Sequence, residues 1–278
     1  MKTSLVPSLY TSSCSDMGLL ETLVSPRMSL ADAEASTEVQ VTIGRLEPKQ
    51  FAEIVAARTE QNHDPASSLC LACTDVLDVT GAGLMLVSGE RSLGCVGVSD
   101  PVTEAVEQVE YTLGEGPCVT AYRTKSPVFD PDLADENIDQ WPGFRRGALE
   151  AGIRAAFGFP LLVDRICIGA LNLYRDRSGV LTDDQIDNAV VVARLASRAL
   201  LSWQADAPPG TVAWQLEQVP NHRMEVHQAT GRISVQAGVS LADALVLLRA
   251  YSFSHDRPIS DVAADVGTGQ LRFDSSDL

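Results

Sequence analysis

Aromatic residues are scarce in this sequence: they make up 5% of 278 residues, against 45% for all hydrophobic types. A core must therefore be built from Ala, Leu and Val more than from large rings. Basic charge is scarce too, with 21 Lys and Arg against 37 Asp and Glu and a net charge of −16. That balance excludes any general affinity for phosphate backbones or anionic membranes, so a nucleic-acid contact has to come from a local patch. No apolar run reaches the roughly 18 residues needed to cross a bilayer. The first residues carry a single Lys2, an early Pro7 and the polar break "TSSCSD", which is not the pattern of a secretory signal. The expectation is a cytoplasmic chain without a membrane partner.

Cysteine offers no framework. Cys14, Cys70, Cys73, Cys95, Cys118 and Cys167 are scattered, mostly in apolar surroundings, and read as reduced, buried side chains. The "CLAC" pair, Cys70 and Cys73, has no second half and no ligand at metal-site spacing. It falls in a helix-like run where Leu69, Cys73 and Val76 share one face. Cys118 has no neighbour that would lower its pKa, so it takes no redox role. Phosphate-binding glycine loops and G-x-S-x-G are missing as well. No catalytic residue, metal or cofactor is assigned, and no enzyme is expected.

What is present is a change of pattern along the chain. Residues 1–43 are rich in Ser and Thr, show no sustained period and are expected to be disordered; Met28, after "VSPR", is an alternative start to Met1. Residues 44–203 alternate helix-like and strand-like segments. "LEPKQFAEIVAAR", "SSLCLACTDVLDV" and "VTEAVEQVEYTL" repeat at helical spacing, with a shorter turn or helix at "CVTAYRT". "GAGLMLVSG" and "SLGCVGVS" read as a hairpin with a loop of about five residues. "SPVFDPDL" reads as an edge strand, and "AAFGFPLLVDRICIGALNLYR" as two strands about Asp164 and Arg165. Thr182 and Gln185 stand at capping-box spacing ahead of a long helix. An α+β domain follows: an antiparallel sheet flanked by helices. Residues 204–220, with "QADAPPGT", read as a linker.

Residues 221–278 read as three amphipathic helices. Val226, Ala229, Ile233 and Ala237 form one stripe, while Met224, Gly231 and Val235 form a second, partly apolar face. Ser240 is an N-cap with Asp243 three residues on, followed by Leu241, Ala244, Leu245 and Leu248. Ile259, Val262, Ala263 and Val266 start a third helix near Pro258, where a first-turn proline is tolerated. None of the three buries its face alone, so a three-helix bundle is expected. Gly231 is the anomaly. It costs roughly 1 kcal/mol relative to alanine inside a helix, so either a neighbouring helix or a partner needs the space.

The stretch from His227 to Ala263 resembles an ANTAR domain, the RNA-binding helical module of bacterial antiterminators. The match lies in Ala229, Gly231, Gly238, Ala244, Leu248, Arg249, Arg257, Val262 and Ala263. Upstream, "GAGLML", "LGEGPC", "VFDPDL", "WPGF", "FGFPLL" and "IGALNLY" resemble a GAF domain of the kind that precedes ANTAR modules in actinobacteria. The resemblance implies a dimeric transcription antitermination regulator, with a signal-sensing GAF-like sheet and an all-α bundle that binds paired stem-loops in leader RNA. The candidate RNA-binding residues are then Ala229, Thr230, Gly231, Arg232, Arg249, Tyr251 and Arg257. Thr230 departs from the family, where lysine is common, and removes a phosphate contact. Five arginines against seven carboxylates leave residues 221–278 at −2. RNA readout would then rest on shape, unstacked bases and a few arginines, with His222, His227 and His255 adding charge below about pH 6.5. For Arg249 and Arg257 a surface ion pair is the competing role.

In the GAF-like part Tyr122, Trp141, Phe144, Phe157 and Phe159 either line a small-molecule cavity or fill the core. The rival function is a ligand-responsive dimer acting through protein contacts alone. A DNA-reading helix-turn-helix is disfavoured, because "ISDVAADV" carries no basic or amide side chain for a groove.

Overall fold

The computed structural model describes residues 45–88, 91–206, 222–255 and 257–273. The expectations for residues 1–43 and the Met28 start lie outside these residues, as does most of the 204–220 linker.

Proline sets the helix starts of the first domain. Helices α1 (Pro48–Asn62), α2 (Pro65–Val76), α3 (Pro101–Leu113), α4 (Pro117–Thr124) and α5 (Pro142–Glu150) all begin on one. At that position proline's missing N–H costs nothing and its fixed φ suits the first turn. Asp64 and Asp100 complete two of these starts: Asp64 accepts from the Ala66 and Ser67 amides, and Asp100 from those of Val102 and Thr103. Helix α5 was not anticipated from the sequence, since "PGFRRGALE" is short, polar on average and carries two glycines.

The strands are β1 (Gly81–Ser88), β2 (Arg91–Val98), β3 (Val128–Asp130), β4 (Ala155–Val163) and β5 (Ile166–Arg175). They form one antiparallel sheet in the order β2-β1-β5-β4-β3. The expected turn at Asp164 and Arg165 is there, with Val163 paired to Ile166. The β1–β2 hairpin is tighter than the expected five-residue loop, because pairing runs on to Ser88 and Arg91. Pro160 sits mid-strand in β4 without breaking it. β3 pairs only with Ala156, Phe157 and Gly158, so on that side the backbone of Pro160 faces no strand.

Helix α6 (Asp183–Ala205) carries the expected capping box of Thr182 and Gln185. With α1 and α2 it covers one face of the sheet, where Leu84, Phe157, Phe159, Leu171 and Leu173 meet Leu69, Cys73, Ala196 and Leu200. The other face is covered by α3, α4 and α5.

The C-terminal bundle comprises α7 (His222–Ala237), α8 (Leu241–Ser254) and α9 (Ile259–Thr268). Val226, Ala229, Ile233, Ala244, Leu248, Ile259, Val262, Ala263 and Val266 close its core. Ser240 caps α8 and exchanges hydrogen bonds with Asp243, at 3.1 Å from the Asp243 amide and 2.7 Å to its carboxylate. Two details differ from expectation. Leu241 is 41% exposed, because α8 turns its first residue outward, and Pro258 stands at the N-cap of α9, one residue ahead of the helix. Tyr111 of α3 joins the bundle's apolar cluster, so the bundle rests on the end of that helix.

Candidate functional site

The "LGEGPC" segment, Leu113 to Cys118, organises the face of the sheet under α3, α4 and α5. Gly114 takes the left-handed conformation (φ 68°) and its N–H donates to Glu110 O, ending α3. Glu115 reaches across to accept from the Gly143 and Phe144 amides at 2.7 and 3.1 Å, and so caps α5. At Gly116 (φ 146°) a Cβ would stand 2.4 Å from Glu110 Oε1, so only glycine lets that carboxylate in. Pro117 then starts α4, whose first free amides point at Glu110.

Glu110 is fully buried, and its Oε1 accepts from Cys118 N at 2.7 Å and Val119 N at 3.2 Å. Glu107, one turn earlier and also buried, shares a donor with it: Asn172 Nδ2 donates to Glu107 Oε1 at 2.8 Å and Glu110 Oε2 at 2.9 Å. The Tyr174 hydroxyl donates to Glu107 Oε1 at 3.0 Å. Asn172 Oδ1 is buried and accepts no hydrogen bond from the described residues. The donors just named are an amide, a phenol and two backbone N–H groups, all neutral. Burial first, and then the Glu107 charge, raise the Glu110 carboxyl well above its usual value. The Tyr174 phenol is raised by burial and by both carboxylates. The pair therefore tends to keep a proton at pH values where surface carboxylates have lost theirs. Burial followed by Glu110 also pushes the Cys118 thiol up, which is the wrong direction for a reactive thiolate.

This polar centre was not anticipated, although one signal for it exists. Thr103, Val106, Glu107, Glu110 and Tyr111 are the buried face of α3, so two acids occupy positions of an apolar stripe.

The aromatic candidates are not brought to one cavity. Phe157 and Phe159 pack under α1, α2 and α6, whereas Phe144 and half-buried Trp141 pack on the opposite face, 6.1 Å apart between ring centroids. Phe157 and Phe159 stand two apart on β4 and so share one face, whereas Phe144 and Trp141 belong to α5 and its N-cap, which cover the other. Trp141 Nε1 donates to Thr120 Oγ1 at 3.0 Å, and Tyr122 is half-buried on α4.

The bundle candidates are also divided. Ala229 is fully buried in the core, and nearly buried Thr230 turns its hydroxyl back to Val226 O at 2.7 Å. Both are therefore turned away from the surface. Arg257 is ion-paired with Asp265 at 2.8 Å. Tyr251 stacks on His255 with ring centroids 3.9 Å apart. Arg249 Nη2 donates to Tyr111 O at 2.9 Å, in the contact with the first domain. Gly231 and Arg232 lie on the outside, with Arg232 Nη1 donating to Val266 O at 3.3 Å. A Cβ on Gly231 would meet nothing within 4 Å, so no neighbouring helix among the described residues needs the space. Around it Gln228, Arg232, Val235 and Gln236 line an open depression, and Val235 is 84% exposed. Among the described residues no three His, Cys, Asp or Glu side chains gather as metal ligands, and no single helix is long and apolar enough to cross a membrane.

A family model described as a GAF domain matches residues 64–201. No curated protein matches the chain. Among solved structures, a domain of a two-component sensor histidine kinase protein from Sinorhizobium meliloti 1021 is similar at 18% identity, covering 52% of this chain and 94% of that one, with a TM-score of 0.43. The GAF domain of an Acinetobacter phosphoenolpyruvate-protein phosphotransferase is similar at 15% identity, over 57% and 95% of the two chains, with a TM-score of 0.43. Free methionine-R-sulfoxide reductase from Neisseria meningitidis, in complex with its substrate, gives 13% identity, 56% and 91% coverage, and a TM-score of 0.38.

Proposed function

Residues 64–201 form a GAF domain, and on that basis we propose that the chain is a regulator in which this domain senses a signal and the C-terminal bundle binds stem-loops of leader RNA, favouring transcription antitermination. The observation that carries the reading is the empty space at Gly231. A mid-helix glycine costs up to about 1 kcal/mol relative to alanine, and no part of the described chain uses the room it leaves. We take an incoming molecule to be the reason for it.

The rim fits that molecule's chemistry. Arg232 supplies a cation, Gln228 supplies an amide for a base edge, and exposed Val235 supplies an apolar contact for an unstacked base. Three side-chain types in one open face suit single-stranded loops better than a duplex backbone, which would need more cations than the one arginine of this face supplies. The ANTAR resemblance of residues 227–263 points the same way. In this reading the protein is a cytoplasmic homodimer without enzymatic activity, and its GAF domain answers to a small molecule.

A gel shift with RNA carrying two stem-loops tests the reading. Wild type is expected to shift the RNA at low salt. Gly231→Leu, which fills the depression, and Arg232→Ala are expected to lose the shift with helical circular dichroism unchanged. Exposed Val235 favours a second reading, contact between protein surfaces. A demonstrated dimer with no shift at low salt would decide for it.

A further inference from the structure

We infer that the contact between Arg249 and the C-terminal end of α3 is an autoinhibitory latch, by which the GAF domain withholds an arginine of the bundle from RNA. The inference rests on the RNA-binding reading above and adds its regulation. Arg249 lies against the last turn of α3: Nη2 donates to Tyr111 O at 2.9 Å, where the helix presents unsatisfied carbonyls and the negative end of its dipole. The fit depends on Gly114. A Cβ there would stand 2.4 Å from Arg249 Nη1, and the backbone is left-handed (φ 68°).

The same contact is built to open. Arg249 Nε is buried and has no hydrogen-bond partner among the described residues, so the guanidinium is held with one donor unsatisfied. Release recovers that cost in water or on a phosphate, to which a planar guanidinium is well matched. One turn along α8, Phe253 stays half exposed while the Arg146 guanidinium lies 5.2 Å from its ring centroid, so the second anchor is also a surface contact. Helix α3 ties the latch to the sensor's interior, because Glu107 and Glu110 stand on the buried face that leads to Tyr111 and Gly114. A change in that buried network displaces the last turn with the rest of the helix.

The test uses the full chain and Gly114→Asn, because asparagine tolerates a left-handed backbone while its Cβ overlaps the guanidinium. Phenylglyoxal modification of Arg249, read by peptide mass spectrometry, reports release without RNA. Fluorescence anisotropy with the two-stem-loop RNA reports affinity. Arg249 is expected to be protected in wild type and reactive in Gly114→Asn, with RNA binding tightened about tenfold, as one charge-assisted contact would give. Arg249→Ala in the Gly114→Asn background removes that gain. Phe253→Ser loosens the same contact from the bundle side and should repeat it, which covers a folding failure of the first variant. Rapid modification of Arg249 in wild type overturns the latch. RNA binding that does not tighten when Arg249 becomes reactive overturns it too, and leaves the RNA reading standing. If Arg249 becomes reactive and no variant binds RNA, the RNA reading fails and the latch falls with it.

Discussion

The two domains of this chain bury different chemistry. Under α3 and α4 the GAF domain encloses two glutamates, an asparagine and a tyrosine in one hydrogen-bonded group. The bundle encloses mostly aliphatic side chains, with Thr230 and Ser252 bonded back to their own or adjacent backbone. The state of a buried carboxyl pair depends on protons and on what displaces its donors, whereas a core of Val, Ile, Leu and Ala has one state. The interior of the first domain can therefore change state with pH, whereas an aliphatic interior cannot.

The largest effect that would sharpen this contrast is expected at Arg145. It pairs with Asp130 inside the first domain and also donates to Asp132 O at 3.0 Å and Asp135 O at 2.9 Å. Burial raises the Asp130 carboxyl although Arg145 pulls it down, so that carboxylate depends on its partner. Arg145→Ala should cost about 3–5 kcal/mol, the range for breaking a buried pair from one side, in urea unfolding followed by tryptophan fluorescence. The bundle's counterpart is Leu248→Ala. Removal of a fully buried leucine there should cost about 2–5 kcal/mol and should melt helical signal while leaving the strand signal of the first domain. Loss of both domains together in either variant would break the comparison.

A pH effect is expected in the first domain. The folded Glu110 carboxyl is raised above its unfolded value near 4.5. Its contribution to stability is thus complete below about 4.5 and declines as the pH rises through the folded value. The difference in urea midpoint between wild type and Glu110→Gln should change between pH 4.5 and 7, with the wild type losing more. A pH-independent difference would remove the carboxyl pair from the account.

Two smaller effects concern the outside of the bundle. Gly231→Ala should stabilise it by about 0.5–1 kcal/mol, because the added methyl meets open space and helix entropy improves; thermal unfolding checks this. A loss of stability would mean that something in the chain does occupy the depression. Arg257→Ala should change stability by less than about 1 kcal/mol, since its pair with Asp265 is partly exposed.

Much of the bundle could be read directly. Val226, Ala229 and Ile233, and likewise Ile259, Val262, Ala263 and Val266, are buried as their spacing requires, and Ser240 and Thr182 cap the helices that follow them. The sites were less legible. Ala229 and Thr230 belong to the same short motif as Gly231, yet the turn of the helix places them inward and Gly231 outward. The aromatic candidates looked equivalent in the sequence and lie on opposite faces of one sheet.

Helix spacing, N-caps and the turn at Asp164 were determined by the sequence itself, because those interactions act within a few residues and the chain cannot separate their partners. The meeting of Glu110 with Asn172, and of Gly114 with Arg249, was decided only when strands took their register and the bundle settled on α3. Such contacts join residues far apart in the chain. Their geometry depends on every element packed between them, and no local pattern records it.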